Sequence, residues 1–101
     1  ASIRSKPPFT AFAAAKSAER SLAQGLEKEF GPQGIHVAHV IIDGIIDGDK
    51  VNLRFPDFAK SKGEDGKLNI DSFAENFLML HKQKKSTWSF EIDLRPWSEN
   101  W

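Results

Sequence analysis

Apolar residues recur at three- and four-residue steps through the first third of the chain and predict a long helix. The period begins near Phe12, and Pro7 and Pro8 suit a position at or before the first turn, where a missing N–H costs nothing. We expect Gly31 to end the helix through a left-handed cap, and Pro32 because its ring cannot continue one. The predicted apolar stripe comprises Phe12, Ala15, Ala18, Leu22, Leu26 and Phe30.

Two further patterns predict strands. The run GIHVAHVIID, residues 34–43, is almost continuously Ile and Val between two histidines, which is typical of a strand buried on both faces of a parallel sheet. The run WSFEIDL, residues 88–94, alternates apolar and polar side chains. It predicts a strand with one buried and one solvent-facing side, near a sheet edge or an interface.

A second helix is predicted between these strands. Asn69 or Asp71 can cap it, and the basic run HKQKK suits its C-terminus. Residues 43–69, which precede it, lack a clean period and carry turn chemistry, so they predict a long lid-like loop with a short helical turn near 57–60. The second helix has an apolar stripe of Ile70, Phe73, Ala74, Phe77, Leu78 and His81.

The order helix, strand, loop, helix, strand predicts an α/β fold, and residues 1–101 are interpreted as a single partial domain. The chain begins at Ala1 and its one methionine is Met79, which leaves open an excerpt of a longer protein or a natural truncation. Fourteen basic residues balance fourteen acidic ones, so charge predicts neither a nucleic-acid partner nor a membrane. The absence of cysteine suits a reducing cytoplasm, which we expect as the location.

Metal chemistry finds little support in the sequence. His36 and His39 are three apart on a predicted strand and so face opposite sides, His81 is distant, and no thiolate is present. The run DGIIDGD resembles a calcium loop, but the twelfth position counted from Asp43 is Arg54 instead of the required acid. We therefore expect no metal site and interpret the histidines as buried residues with hydrogen-bond partners.

Phe12 and Lys16 stand four residues apart on the first helix, so their side chains meet on one face. A lysine beside a core aromatic is the ordinary interpretation of such a pair. Its surroundings, PFTAFAAAKSAERSLAQGLEKEFGPQGIHVAHVIIDG, resemble the C-terminal half of short-chain dehydrogenases/reductases, whose Tyr-x-x-x-Lys motif opens a long helix. The resemblance runs from about Phe9 to Gly48 and, more loosely, through the second helix and the strand at 88–94. It implies the C-terminal portion of a Rossmann-like doubly wound parallel sheet.

The resemblance also implies roles for individual residues. In that family the tyrosine exchanges a proton with a carbonyl or alcohol substrate, while the lysine lowers the phenol's pKa and hydrogen-bonds the nicotinamide ribose. Lys16 matches the lysine, but Phe12 stands in the tyrosine's place and has no proton to give. Gly44 matches the glycine of the family's Pro-Gly pair, and Ile46 occupies the position whose backbone meets the nicotinamide carboxamide. Gly48 stands where a threonine is usual, and the family's serine would fall at or before the first residue.

NAD or NADP is the cofactor that the resemblance implies, with a small carbonyl or alcohol as substrate of a full-length protein only. No Gly-rich pyrophosphate turn occurs in the sequence, so we expect neither nucleotide to bind the isolated chain. The first hypothesis is therefore a fragment or truncated relative of such an oxidoreductase, inactive alone.

The alternative hypothesis is a non-catalytic module that forms a homodimer or higher oligomer. It is motivated by the apolar row of the strand at 88–94 and by small residues on the first helix that allow two helices to approach closely. These small residues are Ala13, Ala14 and Ala18.

Overall fold

Four α-helices and two strands make up the chain in the computed structural model, which describes residues 1–100. The predicted mixed α/β class is confirmed, because the two strands pair in one parallel sheet. No helix in that described part of the chain is both long and apolar enough to cross a membrane. The helices are α1 (Thr10–Phe30), α2 (Asp49–Arg54), α3 (Pro56–Ser61) and α4 (Ile70–Lys82), and the strands are β1 (His39–Ile42) and β2 (Glu91–Leu94).

The chain divides into two compact units. The first unit consists of Ala1–Ile41 and Gln83–Ile92, and the second of Ile42–Lys82 together with the chain from Asp93. Both units contribute to the strand pairing: the N–H of His39 donates to Phe90 O at 2.6 Å in the first, and the N–H of Asp43 to Leu94 O at 3.0 Å in the second.

Helix α1 forms where the apolar period predicts it, but its end differs in detail. Gly31 has φ −53°, a right-handed conformation, and opens a short 3₁₀ turn over Gly31–Gln33. The left-handed residue is Gly34, with φ +87°, whose N–H donates to Gly31 O. The prediction of a left-handed cap is therefore wrong by three residues, and Pro32 stands inside the 3₁₀ turn, where its fixed φ is tolerated.

The face that α1 buries is not the predicted apolar stripe. Ala13 is buried, and Lys16 and Arg20 on the same face are half-buried. Phe12 and Leu22, by contrast, are 55% and 64% exposed. The polar face is turned inward because Arg20 forms an ion pair with Glu91 of β2.

Both strands are shorter than predicted. A β-strand forms only where it hydrogen-bonds to a neighbouring strand. Between β1 and β2 this pairing begins with the hydrogen bond that the His39 N–H donates to Phe90 O. The prediction that β1 is buried on both faces is wrong: Ile41 is the buried residue of the strand, and Ile42 is 43% exposed. Within the described chain β1 has β2 as its one partner strand, so its other edge is not paired.

Residues 43–69 contain two short helices instead of a continuous loop. Helix α3 covers the predicted turn near 57–60, whereas α2 had no counterpart in the sequence pattern. Asp49 in the first turn of α2 and Arg54 in its last turn complement the helix dipole, and Pro56 stands in the first turn of α3. The role of this segment as a lid stays a prediction.

Helix α4 is capped as predicted, since Asn69 Oδ1 accepts a hydrogen bond from the Ser72 N–H at 2.9 Å. Its buried face is rotated from the predicted stripe. Leu80 is the buried residue of the helix, while Phe77 and Leu78 are 43% and 50% exposed.

Candidate functional site

Phe12 and Lys16 are neighbours on α1, as their spacing predicts. The Lys16 ammonium lies 5.9 Å from the centre of the Phe12 ring, at the outer limit of a cation–π contact. The same ammonium donates a hydrogen bond to Glu19 Oε2 at 2.9 Å. Both side chains belong to the first unit, so helix geometry alone brings them together.

Glu19 was not singled out by sequence reasoning, although its three-residue spacing from Lys16 is a usable signal. The hydrogen bond from Lys16 lowers the pKa of the Glu19 carboxyl, and the charge of Lys16 adds to this effect. The carboxylate therefore persists at neutral pH beside the ammonium. An ammonium has three donors, so Lys16 retains capacity to donate to a further acceptor while it contacts Glu19.

Gly44 and Ile46 lie together in the second unit, just after β1. They line a pocket of about 540 Å³, a volume within the usual range for small-molecule sites. The pocket is an open concavity formed by the chain after β1 and by side chains of α2 and α3. Its lining residues are Gly44, Ile45, Ile46, Gly48, Lys50, Val51, Phe55 and Phe58.

Gly44 adopts a backbone conformation that suits glycine. Its φ is +155°, and a Cβ at this position would lie 2.6 Å from Cδ of Pro96. A side chain there would therefore force the pocket wall and the chain at Pro96 apart. The preceding Asp43 is buried, and its N–H donates to Leu94 O, which anchors the turn to β2 within the second unit.

Ile46 is held by an isolated parallel bridge to Leu68. The N–H of Leu68 donates to Ile45 O at 2.7 Å, and the N–H of Asp47 donates to Leu68 O at 2.8 Å. Leu68 is buried, whereas Ile46 is 45% exposed. The bridge thus fixes the backbone of Ile46 while its side chain stays accessible along the pocket.

A polar network lies directly beside this bridge. Asn52 of α2 donates to Asp47 Oδ1 at 2.8 Å, and Lys67 Nζ lies 2.8 Å from Asn52 Oδ1 and 3.0 Å from Asp47 Oδ1. The hydrogen bond from Asn52, followed by that from Lys67, lowers the pKa of the Asp47 carboxyl. The network ties α2 to the chain on both sides of the bridge. No sequence motif predicted it, because its three members come from separate turns.

The aromatic wall of the pocket was also missed by sequence reasoning. Phe55 and Phe58 line the pocket and are 59% and 48% exposed. The sequence did contain a usable signal, the two phenylalanines of FPDF. They stand in a segment with no apolar period, so both rings are not expected to belong to a hydrophobic core. Exposed aromatic side chains around a concavity are typical of a binding surface.

His36 and His39 are half-buried and have protein partners, whereas His81 is exposed in the last turn of α4, so the prediction that all three histidines are buried is wrong. The His36 ring stacks on Trp88 with centres 4.6 Å apart, and its Nε2 lies 2.8 Å from Ser89 O. His39 Nδ1 lies 3.0 Å from Glu91 Oε2. Among residues 1–100, no group of three or more His, Cys, Asp or Glu side chains is placed to hold a metal ion.

Comparison with solved structures identifies a similar protein. The chain is 31% identical to a short-chain dehydrogenase from Rhodopseudomonas palustris, with a TM-score of 0.66, over 95% of this chain and 34% of that one. It therefore resembles part of a short-chain dehydrogenase in sequence and fold, and it spans about a third of that protein's length. No protein-family model matches the chain, and no curated protein matches it significantly.

Proposed function

We propose that this chain is the C-terminal portion of a Rossmann-like, NAD(P)-dependent oxidoreductase of the short-chain dehydrogenase/reductase type, altered at its proton donor. The observation that carries the proposal is the pocket after β1, which contains both Gly44 and Ile46. The 31% identity to a short-chain dehydrogenase supports the same assignment. Carboxyl ends of parallel strands are where ligands bind in open α/β sheets, and this pocket follows such an end.

The residues of the pocket suit a nicotinamide. Gly44 lets the chain turn without a side chain, the bridge at Ile46 presents a fixed backbone to a carboxamide, and the apolar lining offers contacts to a flat ring. Lys16 is assigned to the ribose, as a hydrogen-bond donor with capacity beyond its contact with Glu19. When bound, the nicotinamide supplies hydride chemistry.

Phe12 limits what this chain can do with such a cofactor. Reduction of a carbonyl needs a proton donor within hydrogen-bond reach of the substrate oxygen, and a phenyl ring has none. Lys16 lies beside this ring, and by resemblance the ring takes the position of the family's tyrosine. We therefore assign cofactor and substrate positioning to the chain and expect it to be inactive alone.

A chimera tests this proposal. Residues 9–94 would replace the matching segment of the Rhodopseudomonas palustris dehydrogenase, and binding of NAD and NADP would be measured by calorimetric titration. We expect the chimera to bind one of the nucleotides and Lys16→Ala to weaken that binding, whereas Lys28→Ala, on the same helix, leaves it unchanged. A folded chimera that binds neither nucleotide contradicts the proposal.

The isolated chain provides the complementary measurement. It contains no Gly-rich pyrophosphate turn, so we expect no measurable heat with either nucleotide. Tight, stoichiometric binding to the 101-residue chain would show that the pocket does not need the rest of the sheet.

A second candidate function is a non-catalytic module that self-associates through α1. The observation that favours it is the apolar outer face of α1, on which Phe12 and Leu22 are exposed. A shallow part of this face is formed by Ala18, Ser21, Leu22, Gly25, Leu26 and Glu29. Small residues beside leucines allow two helices to approach closely, so a second copy of the chain is the proposed occupant.

One residue of the predicted interface must be withdrawn. Ala13 is 2% exposed because it is packed inside the first unit, so it is not available to a second helix. Ala14 and Ala18 are exposed and keep their proposed role. The two candidate functions differ in a simple respect: the first needs Lys16 and the pocket, and the second needs only the outer face of α1.

A further inference from the structure

The pocket after β1 has a definite chemical character. Its walls are Ile, Val, Phe and Gly, so a ligand inside it would contact mostly carbon. Among the described residues that line it, Lys50 alone carries a charge. A ligand that fills this pocket would therefore have an apolar body and at most one group that needs a positive partner.

Lys50 is better placed than the other nearby lysines to pair with an anionic group of such a ligand. Lys62 Nζ lies 5.5 Å from the centre of the Phe58 ring, but it is paired with Glu99 at 4.0 Å. Lys67 is held by Asp47 and Asn52. Lys50 is exposed on α2 at the pocket. Its ammonium is therefore the cation that an anionic group at the pocket would meet.

The wall that carries Lys50 is fixed in place. Asn52, two residues along α2, donates to Asp47 and accepts from Lys67. The N–H of Asn52 also donates to Gly48 O at 3.1 Å. These bonds hold α2, and with it Lys50, against the chain after β1.

We propose that this pocket binds a small monocarboxylate with an apolar or aromatic body, with Phe55 and Phe58 contacting the body and Lys50 pairing with the carboxylate. The inference deepens the proposed function and rests on it, since such a molecule would be the substrate, or the part of it remote from the reacting carbonyl or alcohol.

The test uses the 101-residue chain and two matched probes, 4-phenylbutanoate and 4-phenylbutanamide, which share the ring and alkyl chain and differ in a charged carboxylate against a neutral amide. Binding would be followed by the amide signals of Gly44 and Gly48 in nitrogen–proton correlation spectra at neutral pH. We expect saturable shifts of both signals. The carboxylate should bind about threefold more tightly than the amide, which is the effect expected from one solvent-exposed ion pair.

Variants separate the two contributions. Lys50→Met should abolish the preference for the carboxylate, while Lys60→Met, on α3 and outside the pocket, should keep it. Phe58→Ala should weaken both probes about tenfold, since much of a ring contact is lost. Leu53→Ala, an exposed position on α2 outside the lining, should leave both unchanged.

Equal affinity of the two probes, a preference that survives Lys50→Met, or unaltered binding to Phe58→Ala would each overturn the inference, as would shifts confined to other residues. Because neither nucleotide nor turnover enters the measurement, a chimera that fails to bind NAD(P) remains distinguishable from a pocket that fails to bind the carboxylate.

Discussion

Arg20 Nε, on α1, lies 2.6 Å from Oε2 of Glu91, on β2. His39 Nδ1, on β1, lies 3.0 Å from the same oxygen. One carboxylate in the first unit therefore connects the long helix with both strands. The Arg20 guanidinium also lies 6.0 Å from the centre of the Phe90 ring. Together these contacts explain why α1 turns a charged face inward and leaves its apolar stripe exposed.

The Glu91 carboxylate should make the free energy of unfolding fall when the pH becomes acidic. The hydrogen bond from Arg20, and then that from His39, lowers the pKa of Glu91 in the folded chain. Its stabilising contribution is thus present above the ordinary glutamate pKa of about 4.3 and is lost as the pH falls through the lower folded-state pKa. We expect Glu91→Gln to lower the free energy of unfolding by about 1–3 kcal/mol at neutral pH. The variant should also lose less stability than the parent chain when the pH falls below about 4.

Urea unfolding at neutral and acid pH measures this effect. Glu75→Gln, on the exposed surface of α4, is the matched control and should keep the acid dependence of the parent chain. If Glu91→Gln and Glu75→Gln behaved alike at both pH values, the carboxylate would not join α1 to the sheet.

Gly44 should tolerate no side chain. Alanine would require φ +155° and would place a Cβ 2.6 Å from Pro96, so we expect Gly44→Ala to destabilise the chain by about 3 kcal/mol. Gly25, inside α1, has open space within 4 Å of the point where a Cβ would stand, and Gly25→Ala should stabilise by about 1 kcal/mol. Thermal melts of the two variants give the comparison. A Gly44→Ala chain as stable as the parent would mean that the turn can rearrange.

Local signals in the sequence were sufficient for the two long helices, α1 and α4. The apolar period from Phe12 to Phe30 located α1, which begins at Thr10, and of the two cap candidates, Asn69 and Asp71, it is Asn69 that accepts the hydrogen bond from the Ser72 N–H. The strands were found as well, because β-branched runs and alternation are local patterns. The helix α2 was missed, since its six residues are too few to show a period.

Burial could not be predicted in the same way. An apolar stripe indicates which face of a helix prefers to be covered, not which neighbour is present to cover it. Glu91 looked like the solvent-facing half of an alternating strand, and only its contact with Arg20, 71 positions away, reverses that interpretation. The pocket depends likewise on non-local contacts, such as the bridge that joins Ile46 to Leu68. Its candidate residues Gly44 and Ile46 came from family resemblance, while Phe55, Phe58 and Lys50 did not.

Restoring the missing phenol tests the role of Phe12. In the nucleotide-binding chimera, we expect Phe12→Tyr to increase carbonyl reduction by about a hundredfold, the lower end of general acid catalysis. The ring is 55% exposed, so the added hydroxyl needs no room inside the fold. Steady-state rates with a panel of small ketones provide the measurement, and Phe9→Tyr, at an exposed ring just before α1, is the control. An unchanged rate in Phe12→Tyr would mean that another group supplies the proton or that no such reduction occurs.

Self-association through α1 gives the last expectation. Leu22 is 64% exposed on the outer face of α1, so a charge at this position should change the stability of the single chain little but should prevent apolar contact between two helices. We expect the parent chain to sediment as a dimer or larger species, with a melting temperature that rises with protein concentration, and Leu22→Glu to sediment as a monomer with a concentration-independent melt. Leu53→Glu, at a position 78% exposed on α2, controls for added charge and should remain associated. A parent chain that is a well-folded monomer at all concentrations would exclude the self-associating module, and the exposed stripe of α1 would then need a different partner.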